Sequence, residues 1–398
     1  MQVDIVIAVA ERGGPENIIK MMINKMKSFG IQFRVVQMVW EGYRWLDAEV
    51  PFYPLAEGKG GHNPAEFVQK YSELLERTKK VPDLVLAVAW PYMSLIAKQV
   101  LVDKGLDVPV VSWLHSGIQA YEGKGFGGIR ELMAADAHFA INGSLWEDIR
   151  KVSGSSAVYR INNPVEMDRA SKEVDAPEKK ELRHTLLFIG RISAEKNVKF
   201  ILDAMAYLSD WTLMIVGDGE ERASMETHCR DLNLDQRVQW LGWQQDPWKY
   251  ADEADALVMA SHYEGFPLTV IEAQSRGLPV ISTKVDGITE FIEHRLNGYL
   301  YDFGDMEAYC DIFSTIQAQG YVVEHPEQSR ERVREYDSNL VFWDMAVKMQ
   351  AICRGVRLRP NTSNHPYYVF RQELSQDEWS DRKKMKEAIT ASYAKMWN

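Results

Sequence analysis

Two glutamates lie close together in the stretch SHYEGFPLTVIEAQSRGLPVIST, which covers residues 261–283. Glu264 precedes Pro267, whose fixed backbone angle favours the first position of a helix, and Glu272 falls within that predicted helix. The free amides of a first helical turn attract anions, and the helix dipole favours an acid there even without a ligand. Glu272 has apolar neighbours, and burying an acid without a partner is costly. The pair indicates either a helix start with an ordinary acid, or a site for a ligand with hydroxyl groups and phosphate.

A second charged motif, GRISAEKN (190–197), directly follows the apolar run TLLFIG (185–190). Arg191 and Lys196 are expected at the carboxyl end of that strand and at the start of the next helix. Two cations beside free backbone amides suit a diphosphate. The alternative is that both are ordinary solvated surface side chains.

Glycines follow two of the predicted strands. Gly13 and Gly14 come between the first strand and the first helix, and Gly217 lies in VGDGE (216–220) at another strand end. Glycine lets the backbone approach a ligand, but it is also typical of a tight strand-to-helix turn. The third glycine of a dinucleotide-binding fingerprint does not follow Gly217, so that kind of site is not indicated.

Two more side chains at strand ends are candidates for ligand contacts. Trp243, in GWQQDPW (242–248), predicts with its neighbouring amides a flat slot for a nucleobase, although a tryptophan in the core is the commoner arrangement. His115 ends VPVVSWLH (108–115), where it would bond a sugar hydroxyl, assist proton movement or serve a structural role.

Metal-ligand patterns and ATPase motifs are missing from the sequence. No two aspartates lie two positions apart, the histidines and cysteines show no metal-ligand spacing, and no Walker-type phosphate loop occurs. We therefore expect neither a metal nor a cofactor. Phosphate charge would be neutralised by Arg191, Lys196 and helix amides.

The composition limits the classes of partner. A net charge of −11 opposes non-specific nucleic-acid binding, which needs a positive surface. No apolar run of about 18 residues predicts a membrane-spanning helix. The amino terminus lacks a basic leader, and 3 scattered cysteines favour a reducing cytoplasm. A peripheral contact with the inner face of the cell membrane is left open by the neutral first half.

Apolar runs typical of buried parallel strands alternate with helical patterns in both halves of the chain. The predicted strands of the first half are residues 3–10, 32–40, 83–90, 108–115, 137–141 and 158–161. Those of the second half are 185–190, 211–217, 237–242, 256–261, 278–283 and 297–302. This order predicts two doubly wound α/β domains, with ligand sites beyond the carboxyl ends of the strands.

A polar, proline-containing segment at 162–184 predicts a linker between the domains. We place the first domain at 1–165 and the second at 166–340. The last part of the chain is helical in pattern, and helices over about 340–398 are expected to pack back on the first domain. The role of the extension at 356–398 is left open.

Together these motifs resemble the family 4 retaining glycosyltransferases of the GT-B fold, in which two Rossmann-like domains face each other across a cleft. The resemblance rests on Glu264 and Glu272 with seven residues between them, on the motif 190–197, and on the glycines after the first strand. It covers nearly the whole chain. The stretches VSWLHS, INNPVE, LGWQQDPW and SHYEGFPLTVIEA resemble the branch that contains lipopolysaccharide-core galactosyltransferases.

The resemblance implies a role for each candidate residue. Arg191 and Lys196 would bind the donor diphosphate, Glu272 the ribose hydroxyls, and Glu264 the transferred sugar near its 3- and 4-hydroxyls. His115 would meet the sugar's 6-hydroxyl or reacting face. The remaining implied donor-binding residues are Gly13, Gly14, Gly217, Trp243, Gly265, Phe266, Pro267, Leu268 and Thr269. The residues implied to be catalytic are Glu264, His115, Arg191 and Lys196.

The resulting hypothesis is a retaining, metal-independent hexosyltransferase. It would move galactose or glucose from a UDP-sugar co-substrate to a saccharide or glycolipid acceptor of the cell envelope. Acceptor contacts are expected in the glycine-rich loops 41–64 and 117–128, which we predict to be mobile lids. The alternatives are a non-hydrolysing nucleotide-sugar epimerase and a catalytically silent partner of an active transferase.

Overall fold

The chain forms two parallel β-sheets, each covered by helices on both faces. We describe it from a computed structural model, which describes residues 1–9, 14–58, 64–153, 157–167, 182–264, 268–285, 288–289 and 292–355. The predicted two-domain α/β architecture is present. The domain boundaries at 165 and 340 stay predictions, since the sheets place the change only between residues 160 and 185.

The first sheet has seven strands in the spatial order β3-β2-β1-β4-β5-β6-β7. These strands are β1 (Gln2–Ile7), β2 (Gln32–Trp40), β3 (Phe52–Glu57), β4 (Leu84–Val88), β5 (Val110–Leu114), β6 (Ala137–Ala140) and β7 (Val158–Arg160). Its helices are α1 (Gly14–Met26), α2 (Pro64–Thr78), α3 (Tyr92–Asp103), α4 (Ile118–Gly123), α5 (Ile129–Leu132) and α6 (Gly143–Ser153). All the residues of β4 and β5 are buried, because helices cover both faces.

The second sheet has six strands in the spatial order β10-β9-β8-β11-β12-β13. These strands are β8 (Thr185–Ile189), β9 (Thr212–Val216), β10 (Val238–Gly242), β11 (Ala256–Val258), β12 (Val280–Thr283) and β13 (Gly298–Tyr301). The accompanying helices are α7 (Val198–Met205), α8 (Arg222–Asp231), α9 (Leu268–Ser275) and α10 (Met306–Gln319).

Each sheet has one point where the direction of strand order reverses. In the first sheet this point lies between β1 and β4, and in the second between β8 and β11. Consecutive connections leave such a point on opposite faces of the sheet, so a crevice opens at the carboxyl ends of the two strands. The loops after β1, β4, β8 and β11 are therefore where ligands are expected.

Two expectations about the first half are wrong. The segment 117–128 was expected to be a loop, but residues Ile118–Gly123 within it form α4. The segment 41–64 was expected to be an irregular loop, but residues Phe52–Glu57 within it form β3, which pairs in parallel with β2. Pro54 opposed a strand on sequence grounds because proline has no amide hydrogen to donate. An edge strand tolerates proline, since one of its sides has no neighbour to receive that bond.

The end of the described chain returns to the first half. α11 (Pro326–Arg332) is followed by α12 (Ser338–Cys353). Lys25 in α1 donates to the Asn339 side chain at 3.0 Å, and Lys348 donates to the carbonyl of Arg160 at 2.9 Å. α12 thus packs on the amino-terminal domain. Residues 356–398 lie outside the described part of the chain.

The carboxyl edges of the two sheets face each other. The loop after β11 reaches the loop after β5, where the Tyr263 hydroxyl lies 3.0 Å from the backbone nitrogen of Gly117. The crevices of both sheets therefore open into one cleft between the domains. In the described ranges, no helix is both long and apolar enough to cross a bilayer.

Candidate active site

The loop after β8 is held against the loop after β9. Gly190 donates to the carbonyl of Val216 at 3.0 Å, and Ile192 donates to the carbonyl of Asp218 at 2.9 Å. Gly217 has φ +142°, and a Cβ there would lie 1.8 Å from the Gly190 carbonyl oxygen. This close approach requires glycine at 217, because any side chain would push the two loops apart. It accounts for that glycine without a ligand, and direct donor contact by Gly217 stays a prediction.

Lys196 and Glu264 form an ion pair at the reversal point between β8 and β11. The Lys196 ammonium lies 2.5 Å from Oε1 of Glu264, and the Ser261 hydroxyl donates to the same oxygen at 2.7 Å. The two side chains are 20% and 8% exposed. Partial burial strengthens the attraction between the charges. Sequence reasoning placed both residues at strand ends, and the fold brings them into contact.

Backbone and side-chain bonds hold the loop after β11 in place. The amide of His262 donates to the carbonyl of Glu195 at 2.9 Å, and the Thr283 hydroxyl donates to the carbonyl of Ser261 at 2.8 Å. These bonds join the exits of β8, β11 and β12, which are neighbours in the sheet. Glu264 therefore follows two anchored residues, Ser261 and His262.

Glu272 lies in α9 and has an indole as its partner. Nε1 of Trp248 donates to Oε2 of Glu272 at 3.0 Å, and the Arg276 guanidinium lies over the Trp248 ring at 4.6 Å from its centroid. Burial raises the pKa of Glu272, while Arg276 and the indole bond oppose that shift. Glu272 therefore has a hydrogen-bond partner within the protein. It is neither a buried acid without a partner nor an exposed helical acid.

α9, the helix that contains Glu272, begins at Leu268, so Leu268 and Thr269 occupy its first turn. Their backbone amides belong to the group of first-turn amides that lack intrahelical acceptors. Gly265, Phe266 and Pro267 lie outside the described residues, as does Gly13. Gly14 is the first residue of α1, directly beyond β1 at the reversal point of the first sheet.

The structure separates the two tryptophans of the loop after β10. Trp243 has 74% of its surface exposed. Trp248, five residues later, is the one that contacts Glu272. A nucleobase slot at Trp243 stays a prediction, whereas the described contacts place Trp248 beside the carboxylate expected to bind ribose.

His115 directly follows β5, on the amino-terminal side of the cleft. Its ring lies 4.5 Å from that of Trp113, and its Nε2 is buried with no hydrogen-bond partner among the described residues. Burial lowers the pKa of His115 to about 4. The imidazole is therefore neutral near pH 7, when it can donate from one nitrogen and accept at the other.

Arg191 follows β8 and is exposed. Among the described residues no group of three or more His, Cys, Asp or Glu side chains is arranged to hold a metal ion. Arg191 and Lys196 follow β8, and the first-turn amides of α9 follow β11.

Sequence reasoning missed three residues of this site: Ser261, Trp248 and Tyr263. Ser261 and Tyr263 both shortly precede Glu264 in the loop after β11. Their position after a strand could have indicated them as candidates. Trp248 offered a weaker signal, since nothing in its sequence neighbourhood showed that it would meet α9 rather than the core.

Comparisons with known proteins agree with the geometry. Residues 170–336 match the family described as glycosyl transferases group 1. The chain is 29% identical to the lipopolysaccharide 1,6-galactosyltransferase of Escherichia coli (strain K12) over 338 residues, which are 80% of this chain and 89% of that protein. It is 31% identical to the protein of the same name from Salmonella typhimurium (strain LT2) over 255 residues, 61% of this chain and 67% of that protein.

Solved structures show the same architecture. The apo form of the lipopolysaccharide outer core galactosyltransferase WaaB superposes with a TM-score of 0.73 at 24% identity, covering 88% of this chain and 100% of that chain. Anabaena Alr3699/HepE in complex with UDP gives a TM-score of 0.71 at 17% identity, with the same coverage. The fold class predicted from the sequence, GT-B with two facing α/β domains, is confirmed.

Fold and site together define an enzyme of sugar transfer. The chain belongs to the group 1 glycosyl transferases.

Proposed function

We propose that this glycosyltransferase moves a galactose- or glucose-type hexose from a UDP-sugar to a saccharide or glycolipid acceptor of the lipopolysaccharide-core type, with retention of anomeric configuration and without a metal. The observation that carries the proposal is the contact between Lys196 and Glu264 at the reversal point of the carboxyl-terminal sheet. It joins a cation suited to phosphate and an acid suited to sugar hydroxyls.

The ion pair of Lys196 and Glu264 has no net charge, and Lys196 keeps hydrogen-bond donors for an anionic ligand. Lys196 carries three N–H donors, so it can keep Glu264 as a partner while donating to a phosphate oxygen. A diphosphate that shares this ammonium weakens its hold on Glu264, whose carboxylate then accepts hydrogen bonds from the sugar. Arg191, exposed nearby at the exit of β8, supplies a second cation.

The chemical step would depend on charge that develops in the leaving group. As the bond between sugar and phosphate breaks, the sugar takes on oxocarbenium character and the diphosphate gains negative charge. Arg191, Lys196 and the first-turn amides of α9 would stabilise that charge more in the transition state than in the ground state. Neither glutamate is assigned as a nucleophile. The diphosphate would accept the proton of the acceptor hydroxyl on the same face of the sugar.

Glu272 would mark the nucleoside end of the donor. Its Oε2 is occupied by the Trp248 indole, and its other oxygen would accept from ribose hydroxyls. Glu264 would mark the sugar end, with the amides of Leu268 and Thr269 between them. His115, neutral at pH 7, would approach the sugar from the opposite domain.

Similarity to proteins of known substrate class supports the choice of substrates. The relatives from Escherichia coli and Salmonella typhimurium are named as lipopolysaccharide 1,6-galactosyltransferases, and Anabaena HepE was solved in complex with UDP-glucose. We also propose that the protein lies in the cytoplasm and contacts the inner face of the membrane peripherally. The segments 41–64 and 117–128, which contain β3 and α4, would bind the acceptor.

The test is a thermal-stability screen with UDP-galactose, UDP-glucose, their GDP counterparts and UDP, followed by product analysis. We expect UDP and at least one UDP-hexose to raise the melting temperature, since ligands stabilise the state that binds them. Conversion of the donor alone into another sugar nucleotide would establish the epimerase instead. If transfer by the assembled complex survives both Glu264→Ala and Lys196→Ala, this chain is a silent partner.

The two acids provide a sharper test of the donor's orientation. Glu272→Ala should weaken UDP binding about tenfold, because it removes a ribose contact worth about 1.4 kcal/mol. Glu264→Ala should leave UDP affinity within about twofold and lower turnover of the UDP-sugar. Titration calorimetry with UDP measures the first effect, and equal losses of UDP affinity in both variants would contradict the assignment. NMR of the product decides the stereochemistry, and an inverted anomer would contradict retention.

A further inference from the structure

Tyr263 joins the two halves of the cleft. Its hydroxyl lies 3.0 Å from the Gly117 backbone nitrogen, which donates to it, and 3.3 Å from the Ser116 hydroxyl. One hydroxyl can accept from the amide and donate to the serine at the same time. Gly117 and Ser116 follow β5 in the amino-terminal domain, and Tyr263 follows β11 in the carboxyl-terminal domain.

The position of this contact is unusual. On one side, Ser116 directly follows His115, and on the other, Tyr263 directly precedes Glu264. The contact therefore lies within two residues, along the backbone, of a candidate catalytic residue of each domain.

The contact is too exposed to serve mainly as a stabilising bond. Tyr263 has 45% of its surface in solvent, where water competes for its hydroxyl. The loop that carries it is anchored separately, through the His262 amide and the Ser261 carbonyl. Removing the hydroxyl should therefore leave the loop and the fold intact.

We infer that Tyr263 is a positioning residue: its hydroxyl binds the loop that carries His115 to the loop that carries Glu264, and so sets the closed arrangement of the cleft for sugar transfer. This inference rests on the proposed function for its kinetic consequence. The physical contact itself does not depend on it. Because reacting groups in two domains must meet, a small error in their spacing lowers the rate of the chemical step more than it lowers the affinity for the nucleotide.

Tyr263→Phe removes the hydroxyl and keeps the ring. We expect kcat for UDP-galactose turnover to fall about tenfold, with the Kd for UDP unchanged within about twofold. Tyr207→Phe is the matched control, because Tyr207 is 72% exposed on the helix-to-strand loop before β9, at the opposite edge of the same sheet. It should match the wild-type enzyme in both measurements.

The partner of the hydroxyl provides an independent variant. The Ser116 hydroxyl is the second partner, 3.3 Å from the Tyr263 oxygen. Ser116→Ala removes that partner and leaves the Gly117 amide bonded to Tyr263. It should lower kcat by less than Tyr263→Phe does, and the double variant should lose no more than Tyr263→Phe alone.

Hydrogen exchange tests the contact without any substrate. In the free wild-type enzyme the Gly117 amide is protected by the Tyr263 oxygen, so Tyr263→Phe should speed its exchange about tenfold or more, whereas Tyr207→Phe should not. Unchanged exchange at Gly117 overturns the inference. So does an equal loss of UDP affinity and kcat, which would make Tyr263 a ligand-binding residue. If the wild-type enzyme turns over no UDP-sugar, the proposed function fails, and the exchange result alone decides the contact.

Discussion

Two acid–cation pairs, one in each domain, have the same short separation and opposite surroundings. Asp4 and Arg34 are partners in the register of β1 and β2, and their closest atoms are 2.5 Å apart. Their side chains are 0% and 3% exposed, and Tyr71 also donates to Asp4 at 2.8 Å. The pair of Lys196 and Glu264 has the same 2.5 Å separation, but it lies beyond the carboxyl ends of β8 and β11 and is partly exposed.

The two pairs differ in how many of their hydrogen-bonding groups already have partners within the protein. Arg34 donates to both oxygens of Asp4 and also to Thr78 and to the carbonyl of Lys80, so the interior pair is bonded within the core. Lys196 and Ser261 both meet a single oxygen of Glu264. A closed set of bonds suits structure, whereas an incomplete set beside solvent suits binding.

Breaking the interior pair should have the largest effect on stability. Arg34→Met leaves Asp4 buried without its cation, and we expect the free energy of unfolding to fall by about 3–5 kcal/mol. Urea denaturation followed by circular dichroism measures the loss. Asp4→Leu combined with Arg34→Met should recover most of it, because no charge then remains buried. A loss below about 1 kcal/mol in the single variant would show that water reaches this pair.

Breaking the pair of Lys196 and Glu264 should lower activity more than it lowers stability. Lys196→Met should lower transfer from a UDP-sugar by about 10²–10³, or about 3–4 kcal/mol of transition-state stabilisation. The free energy of unfolding should fall by only about 1 kcal/mol, since solvent reaches the site. Lys199→Met is the matched control, because Lys199 is exposed and pairs with Asp203 on α7. A stability loss as large as that of Arg34→Met would show that the pair of Lys196 and Glu264 serves mainly to stabilise the fold.

Two histidines whose pKa is lowered by burial, His115 and His138, provide a test by pH with the smallest expected effect. Burial lowers the pKa of both His115 and His138 to about 4. Their unfolded forms take up protons near pH 6.5, so their contribution to stability is present above that pH and is lost as pH falls towards 4. We expect each to remove about 2 kcal/mol of stability between pH 7 and pH 5.

The measurement is the unfolding free energy of wild type and His138→Asn across that range. His138 is 2% exposed and bonds the Ser112 hydroxyl at 2.8 Å, so the variant is less stable at pH 7. Its further loss on acidification should be smaller than that of wild type by about 2 kcal/mol. Parallel curves for the two proteins would show that His138 titrates normally in the folded state.

Much of the fold could be predicted from the sequence because parallel strands are marked by their own composition. The strand at 32–40 was predicted with its observed bounds, and the others fall within a few residues of theirs. β3 was missed because its residues are only partly buried and include Pro54, so the apolar signal that marks the other strands is weak there.

The site was predictable only as a set of separate loops. Lys196 and Glu264 could each be placed at a strand end, but their contact depends on β8 and β11 being neighbours in the sheet. Gly217 was predicted either to approach a ligand or to form a tight turn, and the structure shows a steric requirement imposed by Gly190. The glycine signal was real, whereas its cause could not be read from one loop alone.

By itself, the sequence determined most of the strands and their order along the chain, the charged residues near their ends and the two acids with seven residues between them. These follow from local composition and from the fixed geometry of the chain. Only the tertiary structure decided which loops meet: that Trp248 rather than Trp243 bonds Glu272, and that Tyr263 reaches Gly117 across the cleft. Such contacts join residues far apart in the chain, and they exist only when the sheet order and the facing of the two domains have been established.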